Sequence, residues 1–162
     1  MKRVVNKKLK DLDIQFGGNN ELVGKKLIEE YLDMPLRSYK DKYSTFDFYN
    51  NEMKVIVELK SRRNDSKKYE TQLIGLNKIK KAKEKIKDGY IVYLFWLLSD
   101  GLYVYKVSAN HMFKTSQLGN YARGDKPKEL CLIPNDFLKK TIPKEEQKED
   151  GKKEAPFVLT WD

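Results

Sequence analysis

The stretch FDFYNNEMKVIVELKSR, residues 46–62, contains acidic and basic side chains whose spacing could support chemistry. Its centre has the apolar composition of a buried strand, yet a glutamate and a lysine interrupt it. Because side chains alternate along a strand, Glu58 and Lys60 would point to one face and Val57 and Leu59 to the other. The carboxylate and the ammonium group would therefore lie side by side on one surface.

A second carboxylate comes from the preceding segment. TFDFY and MKVIVELKS have the pattern of two strands, and the polar YNNE between them suits a hairpin turn, since Asn tolerates left-handed geometry. This hairpin would bring Asp47 close to Glu58. Mg²⁺ prefers oxygen ligands in an octahedral array and usually keeps several waters. Asp47, Glu58 and the Leu59 carbonyl are therefore predicted to hold Mg²⁺ or Mn²⁺.

Such a site has a definite chemistry. A bound metal polarises a phosphodiester and lowers the pKa of a coordinated water, while Lys60 beside it would orient that water and stabilise developing negative charge. Opposite charges also make the cluster tolerable at the edge of an apolar sheet. The alternative interpretation of the same residues is a surface ion pair at the end of a strand.

The elements around this hairpin follow from hydrophobic periodicity. Apolar residues at helical spacing predict a first helix over ELVGKKLIEEYL, capped by Asn19 or Asn20 and ending before Pro35. PLRSYKDKYS is predicted to be a loop, and RRNDSKK a polar, mobile segment. A second helix is predicted from Tyr69 to Lys87, with its apolar stripe at Leu73, Leu76, Ile79, Ala82 and Ile86.

Two further strands, GYIVYLFWLL and LYVYKV, are predicted after the second helix, joined by the turn SDG. A strand buried on both faces and preceded by a helix suggests a mixed sheet flanked by helices, an α/β architecture. CLIP and NDFLKK are predicted to be a short strand and a turn of helix. We predict one domain over residues 1–138 and a charged arm over 139–162, whose apolar end FVLTW could dock back.

The charge is concentrated in one part of the chain. The net charge is +9, and residues 54–88 contain twelve Lys or Arg against five Asp or Glu, which gives +7 in this window. A polyanion such as nucleic acid is the partner this favours, although a solvated helix face would look the same. One cysteine, Cys131, and one histidine, His111, exclude a structural zinc site of Cys and His ligands. Cys131 is predicted to be a core residue, and His111 is given no role.

The segments FDF and VIVELKSR, with a short turn between them, resemble the D…ExK signature of the PD-(D/E)XK nuclease superfamily. Asp47, Glu58 and Lys60 occupy the signature positions, and the two acids are separated by eleven positions in the sequence. The proline that names the motif is absent, since Thr45-Phe46 precede Asp47. The resemblance covers roughly residues 20–107 and implies a restriction-endonuclease-like fold with an αβββαβ core.

The resemblance also implies further site residues. A glutamate from the first helix often joins the metal site in this superfamily, which points to Glu21, with Glu29 and Glu30 as rivals. Relatives of the RecB and exonuclease type place a Gln, followed by a Tyr, at the start of the second helix. Gln72 is the candidate here, although Leu76 stands where the Tyr would follow.

Basic residues after the ExK strand are candidates for phosphate contacts next to the metal. Arg62, Arg63, Lys67 and Lys68 follow the strand directly, and a solvated loop is the alternative. Lys78, Lys81 and Lys85 lie off the apolar stripe of the second helix and could track a nucleic-acid backbone or simply be solvated. The aromatic residues of GYIVYLFWLL are predicted to be core rather than a stacking platform for bases.

The function that the resemblance implies is a Mg²⁺- or Mn²⁺-dependent endonuclease that hydrolyses DNA and leaves a 5′ phosphate. An RNA endonuclease, a junction resolvase and a non-catalytic nucleic-acid-binding module are the alternatives. Cutting both strands of a duplex with one site per chain would favour a homodimer. The N-terminal residues lack the apolar core of a signal peptide, and YIVYLFWLL is too short to cross a membrane. We therefore expect an intracellular protein, in the cytoplasm or the nucleoid or nucleus.

Overall fold

The structure is a computed structural model that describes residues 20–41, 43–118 and 128–141. The helices are α1 (Asn20–Leu32) and α2 (Leu76–Lys87), and a short 3-10 turn spans Asn135–Phe137. The strands are β1 (Arg37–Ser38), β2 (Phe48–Asn50), β3 (Val55–Ser61), β4 (Thr71–Gly75), β5 (Ile91–Leu98), β6 (Gly101–Lys106), β7 (Thr115–Leu118), β8 (Lys128–Pro134) and β9 (Lys139–Lys140).

The larger sheet has the strand order β1-β2-β3-β5-β6-β9. The predicted hairpin is confirmed, because β2 and β3 pair antiparallel with Phe48 opposite Val57. β3 and β5 pair parallel, and β4 and α2 form the crossover that a parallel pair needs. The mixed sheet with flanking helices is therefore the α/β architecture that the sequence predicts.

β3 and β5 form the centre of the sheet because both carry apolar side chains on both faces. On the α1 face, Val57 packs in one buried cluster with Ile28 and Phe95. On the α2 face, Ile56 and Trp96 belong to a second buried cluster. The alternation predicted along β3 is confirmed, and it leaves Glu58 on the α2 face.

Helix α1 lies very close to β3 at one point. A Cβ atom added to Gly24 would lie 2.5 Å from Cδ2 of Leu59, so only glycine leaves room for this approach. The contact fixes the helix over the residue that separates Glu58 from Lys60. A small residue in α1 thus helps to position the ExK segment.

The prediction of a second helix from Tyr69 is wrong for its first part. Residues Thr71–Gly75 form β4, and helix α2 begins only at Leu76. In β4, Gln72 and Ile74 are buried, which is the period-2 pattern of a strand. Leu73 also fits the apolar stripe of a helix, so this short run is compatible with both a strand period and a helix period. Antiparallel pairing with β8 decides the conformation.

β4 belongs to a second sheet of three strands, in the order β4-β8-β7. The predicted CLIP strand is confirmed as part of the longer β8, and Cys131 is buried as a core residue. The predicted turn of helix after CLIP is present as the 3-10 turn over Asn135–Phe137.

The remaining differences concern loops and the C-terminal part. The predicted loop after α1 contains the short strand β1. At the start of the predicted arm, β9 pairs with β6 through Tyr103 opposite Lys140. Most of the arm, including FVLTW, lies outside the described residues. No helix in the described part of the chain has the length and apolar character needed to cross a membrane.

Candidate active site

Asp47 is fixed against β3 by two hydrogen bonds. Its N–H donates to the Val57 carbonyl at 3.0 Å, which continues the β2–β3 pairing by one residue. Its Oδ2 accepts a hydrogen bond from the Leu59 N–H at 2.8 Å. The carboxylate therefore lies at the edge of β3, level with Glu58 and Leu59, as the hairpin predicts.

Glu58 is the most deeply buried acid of the described residues, with 2% of its surface exposed. The Lys78 Nζ lies 2.5 Å from its Oε2, and the Lys60 Nζ lies 3.4 Å from the same atom. Its other oxygen, Oε1, is buried and has no hydrogen-bond partner. Both lysines thus act on one carboxylate oxygen and leave the second without a cation or a donor.

The surroundings of Glu58 disfavour its negative charge. Burial is the main cause that raises the pKa of Glu58 above its ordinary value, and the nearby Asp47 charge raises it further. The hydrogen bond and charge of Lys78, followed by the charge of Lys60, lower it but do not cancel the rise. A buried, partly compensated carboxylate of this kind would gain stability from a further cation.

These donors fit a hard divalent cation. The unpartnered Glu58 Oε1 and the Asp47 carboxylate, whose charge acts on Glu58, supply oxygens, and one or two carboxylates with waters are enough for Mg²⁺. Because the N–H and C=O of one strand residue face the same edge, the Leu59 carbonyl is directed to the Asp47 side as well. Among residues 20–41, 43–118 and 128–141, no three His, Cys, Asp or Glu side chains form a metal-binding group.

Over residues 18–137, the sequence matches a protein family described as "Phage putative PDDEXK endonuclease". The match covers more than half of the chain and includes Asp47, Glu58 and Lys60. The chain belongs to this family. The resemblance to the PD-(D/E)XK superfamily is therefore confirmed, and the mixed α/β sheet is consistent with the restriction-endonuclease-like fold. No curated protein and no solved structure matched the chain.

The first helix of this PDDEXK protein carries the predicted third acid. Glu21 is exposed in the first turn of α1, and the structure does not bring it into one group with Asp47 and Glu58. Glu29 Oε2 accepts a hydrogen bond from the Leu36 N–H at 2.7 Å, so this rival stabilises the turn after α1. Glu30 is half-buried in the same helix. Glu21 stays a prediction.

The loop that follows β3, residues 62–70, presents the predicted phosphate contacts. Its four basic side chains are exposed: Arg62, Arg63, Lys67 and Lys68. The prediction of a mobile segment is not supported, because several hydrogen bonds anchor this basic loop. Ser66 Oγ donates to Asp100 Oδ2 at 2.6 Å, and Asn135 Nδ2 donates to the Ser66 and Tyr69 carbonyls. The exposed cations therefore project from a fixed backbone beside the ExK strand.

Gln72 differs from its predicted place at the start of a helix. It is buried in β4, and its Nε2 donates to Asn135 Oδ1 at 3.2 Å. Asn135 in turn holds the basic loop. Gln72 is thus linked to the basic loop through Asn135, and its role at the site stays a prediction.

Lys78 is the site residue whose role the sequence did not reveal. It was predicted to contact nucleic acid from the surface of a long helix, but it points from the first turn of α2 onto Glu58. In the predicted helix, which begins at Tyr69, Lys78 would lie in a middle turn. The true start at Leu76 places it beside Ile79, which packs on the face of the sheet that carries Glu58. The sequence pattern did not show that the strand ends at Gly75 and that the helix begins at the next residue.

Proposed function

We propose that this protein is a Mg²⁺- or Mn²⁺-dependent endonuclease that hydrolyses phosphodiester bonds of DNA. The observation that carries the proposal is the buried Glu58 carboxylate, whose Oε1 has no partner while two lysines approach its Oε2. A protein that only bound nucleic acid would gain nothing from acids placed where a phosphate must approach. A metal-dependent hydrolase uses these acids directly.

Asp47 and Glu58 would hold the divalent ion, together with the Leu59 carbonyl. The ion, when bound, would polarise the phosphodiester and lower the pKa of a coordinated water. Glu21 is proposed as a further ligand from the first turn of α1. The close fit of α1 on Leu59 at Gly24 links that helix to the same strand.

Lys60 and Lys78 would have different roles in the site. Lys60 is half-buried and lies farther from Glu58, so its Nζ can orient the attacking water and stabilise the negative charge that develops on the phosphate. Lys78 makes the shorter contact, so it would orient the Glu58 carboxylate and lower its pKa against the larger effect of burial. In-line attack of water on phosphorus would break the bond to the 3′ oxygen and leave a 5′ phosphate.

The basic loop would position the substrate next to this site. Arg62, Arg63, Lys67 and Lys68 are exposed on the segment that directly follows the ExK strand, and phosphate contacts of this kind fix register without reading sequence. Cleavage of both strands of a duplex would require two such sites, which a homodimer with twofold symmetry provides.

The experiment that tests the proposal is cleavage of supercoiled plasmid, linear duplex DNA, single-stranded DNA and RNA with Mg²⁺ or Mn²⁺. Wild type is compared with Lys60→Ala and Asp47→Ala, and with Lys80→Ala as a matched control from an exposed position of α2. We expect metal-dependent cutting of DNA that the first two substitutions abolish and the control retains. Circular dichroism confirms that each variant is folded.

Two results would overturn the proposal in different ways. Cutting of RNA alone would assign the site to an RNA endonuclease. Binding of DNA without cleavage under any metal would make the protein a nucleic-acid-binding module that has the fold without the reaction.

A further inference from the structure

A groove of about 900 Å³ lies between the end of the basic loop, residues 112–114 and the 3-10 turn. Two aromatic side chains line it with unusually large exposure, since Tyr69 is 53% and Phe137 is 40% accessible. Lys67 and Lys114 also line it. Exposed aromatic rings beside lysines are the combination that proteins use to bind unpaired nucleotides.

Chain segments that line the groove lead to the candidate active site in both directions along the sequence. Lys67 and Tyr69 belong to the loop that begins directly after the ExK strand. At the other end of this loop, the five residues of β4 lead from the groove to α2, whose Lys78 contacts Glu58. A five-residue strand spans about 17 Å, which corresponds to a few nucleotides of an extended single strand.

The charges in the groove fit a single base better than a run of phosphates. The groove is lined by two carboxylates, those of Glu70 and Asp136, and by two ammonium groups, those of Lys67 and Lys114. Their formal charges therefore sum to zero. A polyanionic backbone would not gain from a neutral groove, whereas carboxylates can accept hydrogen bonds from the exocyclic amino groups of bases. The aromatic rings supply the stacking surface.

The aromatic floor is preorganised. The Phe137 ring lies 5.0 Å from the rings of both His111 and Phe113 in edge-to-face contact. The Tyr69 carbonyl accepts a hydrogen bond from Asn135 Nδ2 at 2.7 Å, which fixes the backbone under that ring. The Phe137 ring and the Tyr69 backbone would therefore lose little conformational entropy when a base enters, and this favours binding.

We propose that this groove binds an unpaired nucleobase of the substrate strand, a few nucleotides from the bond that is cut. The inference rests on the proposed nuclease function and narrows its substrate to nucleic acid with single-stranded character, such as an overhang or a branch point. Tyr69 and Phe137 would stack on the base, and Lys67 and Lys114 would contact the phosphates on either side.

The test measures binding without cleavage. Full-length protein in EDTA is titrated into a fluorescently labelled 12-nucleotide single strand and into a blunt duplex of the same sequence. The variants are Tyr69→Ala, Tyr69→Phe and, as a matched control, Tyr43→Ala, which removes an 82% exposed tyrosine outside the groove. Because Tyr69 is exposed, its replacement should leave the fold intact, which circular dichroism checks.

We expect Tyr69→Ala to weaken single-strand binding at least about fivefold, the lower end of what loss of one base–aromatic stack produces. Duplex binding should change less than about twofold, since it would not use the stack. Tyr69→Phe keeps the ring and should retain wild-type affinity, as should Tyr43→Ala. A 2-aminopurine base in the single strand should show quenched fluorescence with wild type and recover with Tyr69→Ala.

Several outcomes would overturn the inference. Equal loss of single-strand and duplex binding would make Tyr69 a general surface contact, and no loss would remove the base site. A Tyr69→Ala variant that converts a dimer to a monomer in light scattering, with affinity unchanged, would assign the groove to a second copy of the chain.

The failure of this inference can be separated from failure of the proposed function. A wild type that cuts DNA while Tyr69→Ala binds single strands normally keeps the nuclease and rejects the groove. A wild type that binds single strands through Tyr69 but cuts nothing keeps the groove and rejects the nuclease.

Discussion

Glu58 shows how much of the candidate site depends on a single buried carboxylate. Its pKa is raised by burial and by Asp47, while the lysines that oppose this rise both reach the same oxygen. Lys78 makes the shorter contact, so it should control the ionisation of Glu58 more strongly than Lys60 does. This difference separates the two lysines experimentally.

Replacing Lys78 by Met should raise the pKa of Glu58 further, because its hydrogen bond and positive charge lower that pKa in the wild type. A metal ligand must be deprotonated, so the pH at which half of the protein binds Mn²⁺ should move upward. Electron paramagnetic resonance of free Mn²⁺ at a series of pH values measures this shift. We also expect cleavage at pH 7 to fall about tenfold or more.

Lys80→Met is the matched control for this substitution, because Lys80 lies in the same helix and is exposed. Its Mn²⁺ binding curve should overlie that of the wild type. An unchanged curve for Lys78→Met would show that Lys78 does not act on Glu58 in solution.

At the residue scale, the sequence predicted Asp47, Glu58 and Lys60 because strand alternation and one hairpin place them together. These are local relations within one stretch of fourteen residues. Lys78 lies twenty residues after Glu58 on another element, so its contact depends on the crossover through β4 and α2. Periodicity cannot supply a contact of that kind.

Among the secondary-structure elements, the basic loop is the one whose order depends most clearly on side-chain hydrogen bonds. Asp100, in the turn between β5 and β6, accepts hydrogen bonds from the Ser66 N–H and Oγ and from the Tyr103 hydroxyl. Burial acts to raise the pKa of Asp100, but these hydrogen bonds outweigh it and leave the pKa lowered. The loop is therefore tied to the neighbouring β5–β6 turn by an ionised carboxylate.

Asp100→Asn should lower the free energy of unfolding at pH 7 by about 1 kcal/mol, since hydrogen bonds to a half-buried charge are partly screened by solvent. Because the folded pKa is lowered, the contribution of Asp100 is fully present above its unfolded pKa. It is lost as the pH falls through the folded pKa. Urea unfolding of wild type and variant should therefore give curves that converge in acid.

Asp88→Asn serves as the control, because Asp88 is an exposed acid after the end of α2. Its loss of stability should be smaller than that of Asp100→Asn, because its side chain has no such set of hydrogen bonds to the basic loop. A pH-independent loss in Asp100→Asn would indicate a steric effect instead of loss of the charge.

Gly24→Ala tests the fit of α1 on β3. The added methyl group would overlap Leu59 and force it to move, which costs about 1–3 kcal/mol, while alanine regains up to about 1 kcal/mol of helix propensity. We expect a net loss of about 1 kcal/mol in urea unfolding. Cleavage should fall as well, because Leu59 lies between Glu58 and Lys60.

Lys26→Ala, at an exposed position of the same helix, should leave both stability and cleavage close to wild type. If Gly24→Ala were as stable and as active as this control, the Leu59 side chain would have rotated without disturbing its backbone.

The elements themselves were predictable where the apolar pattern was long. α1, the β2–β3 hairpin and β5 follow their patterns closely. β4 was missed because five residues are too few to separate a strand period from a helix period. Its conformation is decided by β8, which lies more than fifty residues later in the chain. The very short β1 and β9 likewise depend on strands that flank them in space.

For the whole molecule, the dominant feature is the positive charge of residues 54–88, which the structure divides between the basic loop and α2. Lys78 is now accounted for by its contact with Glu58. The exposed cations of the loop and those of α2 are thus two separate candidate surfaces for phosphate contacts. Salt dependence can distinguish them, because each phosphate contact contributes its own share of released counterions.

Arg62→Ala with Arg63→Ala should reduce the slope of log affinity against log salt by about 2 for duplex DNA, if each side chain contacts one phosphate. Lys80→Ala with Lys81→Ala, a matched double substitution on the exposed part of α2, should leave the slope unchanged. Fluorescence anisotropy over a series of KCl concentrations in EDTA measures both. Equal reductions would mean that the whole basic window contacts DNA.

At this largest scale, the sequence predicted a mixed sheet, a concentration of basic residues at 54–88 and the family. It did not predict the second sheet, because β4, β7 and β8 come together only through pairings between distant segments. The sequence did not predict the groove beside that sheet either. Its aromatic residues come from three separate segments, and no sequence pattern indicates that these segments lie together.

The four charged groups at the centre of the site consist of two carboxylates, Asp47 and Glu58, and two ammonium groups, Lys60 and Lys78, so their formal charges sum to zero. A divalent cation would turn this neutral set into a dication, which an approaching phosphodiester would partly neutralise. Cation and nucleic acid would then each increase the affinity for the other by the same factor, as thermodynamic reciprocity requires. Without nucleic acid, the protein would bind the metal weakly. Binding of the substrate would complete the active site.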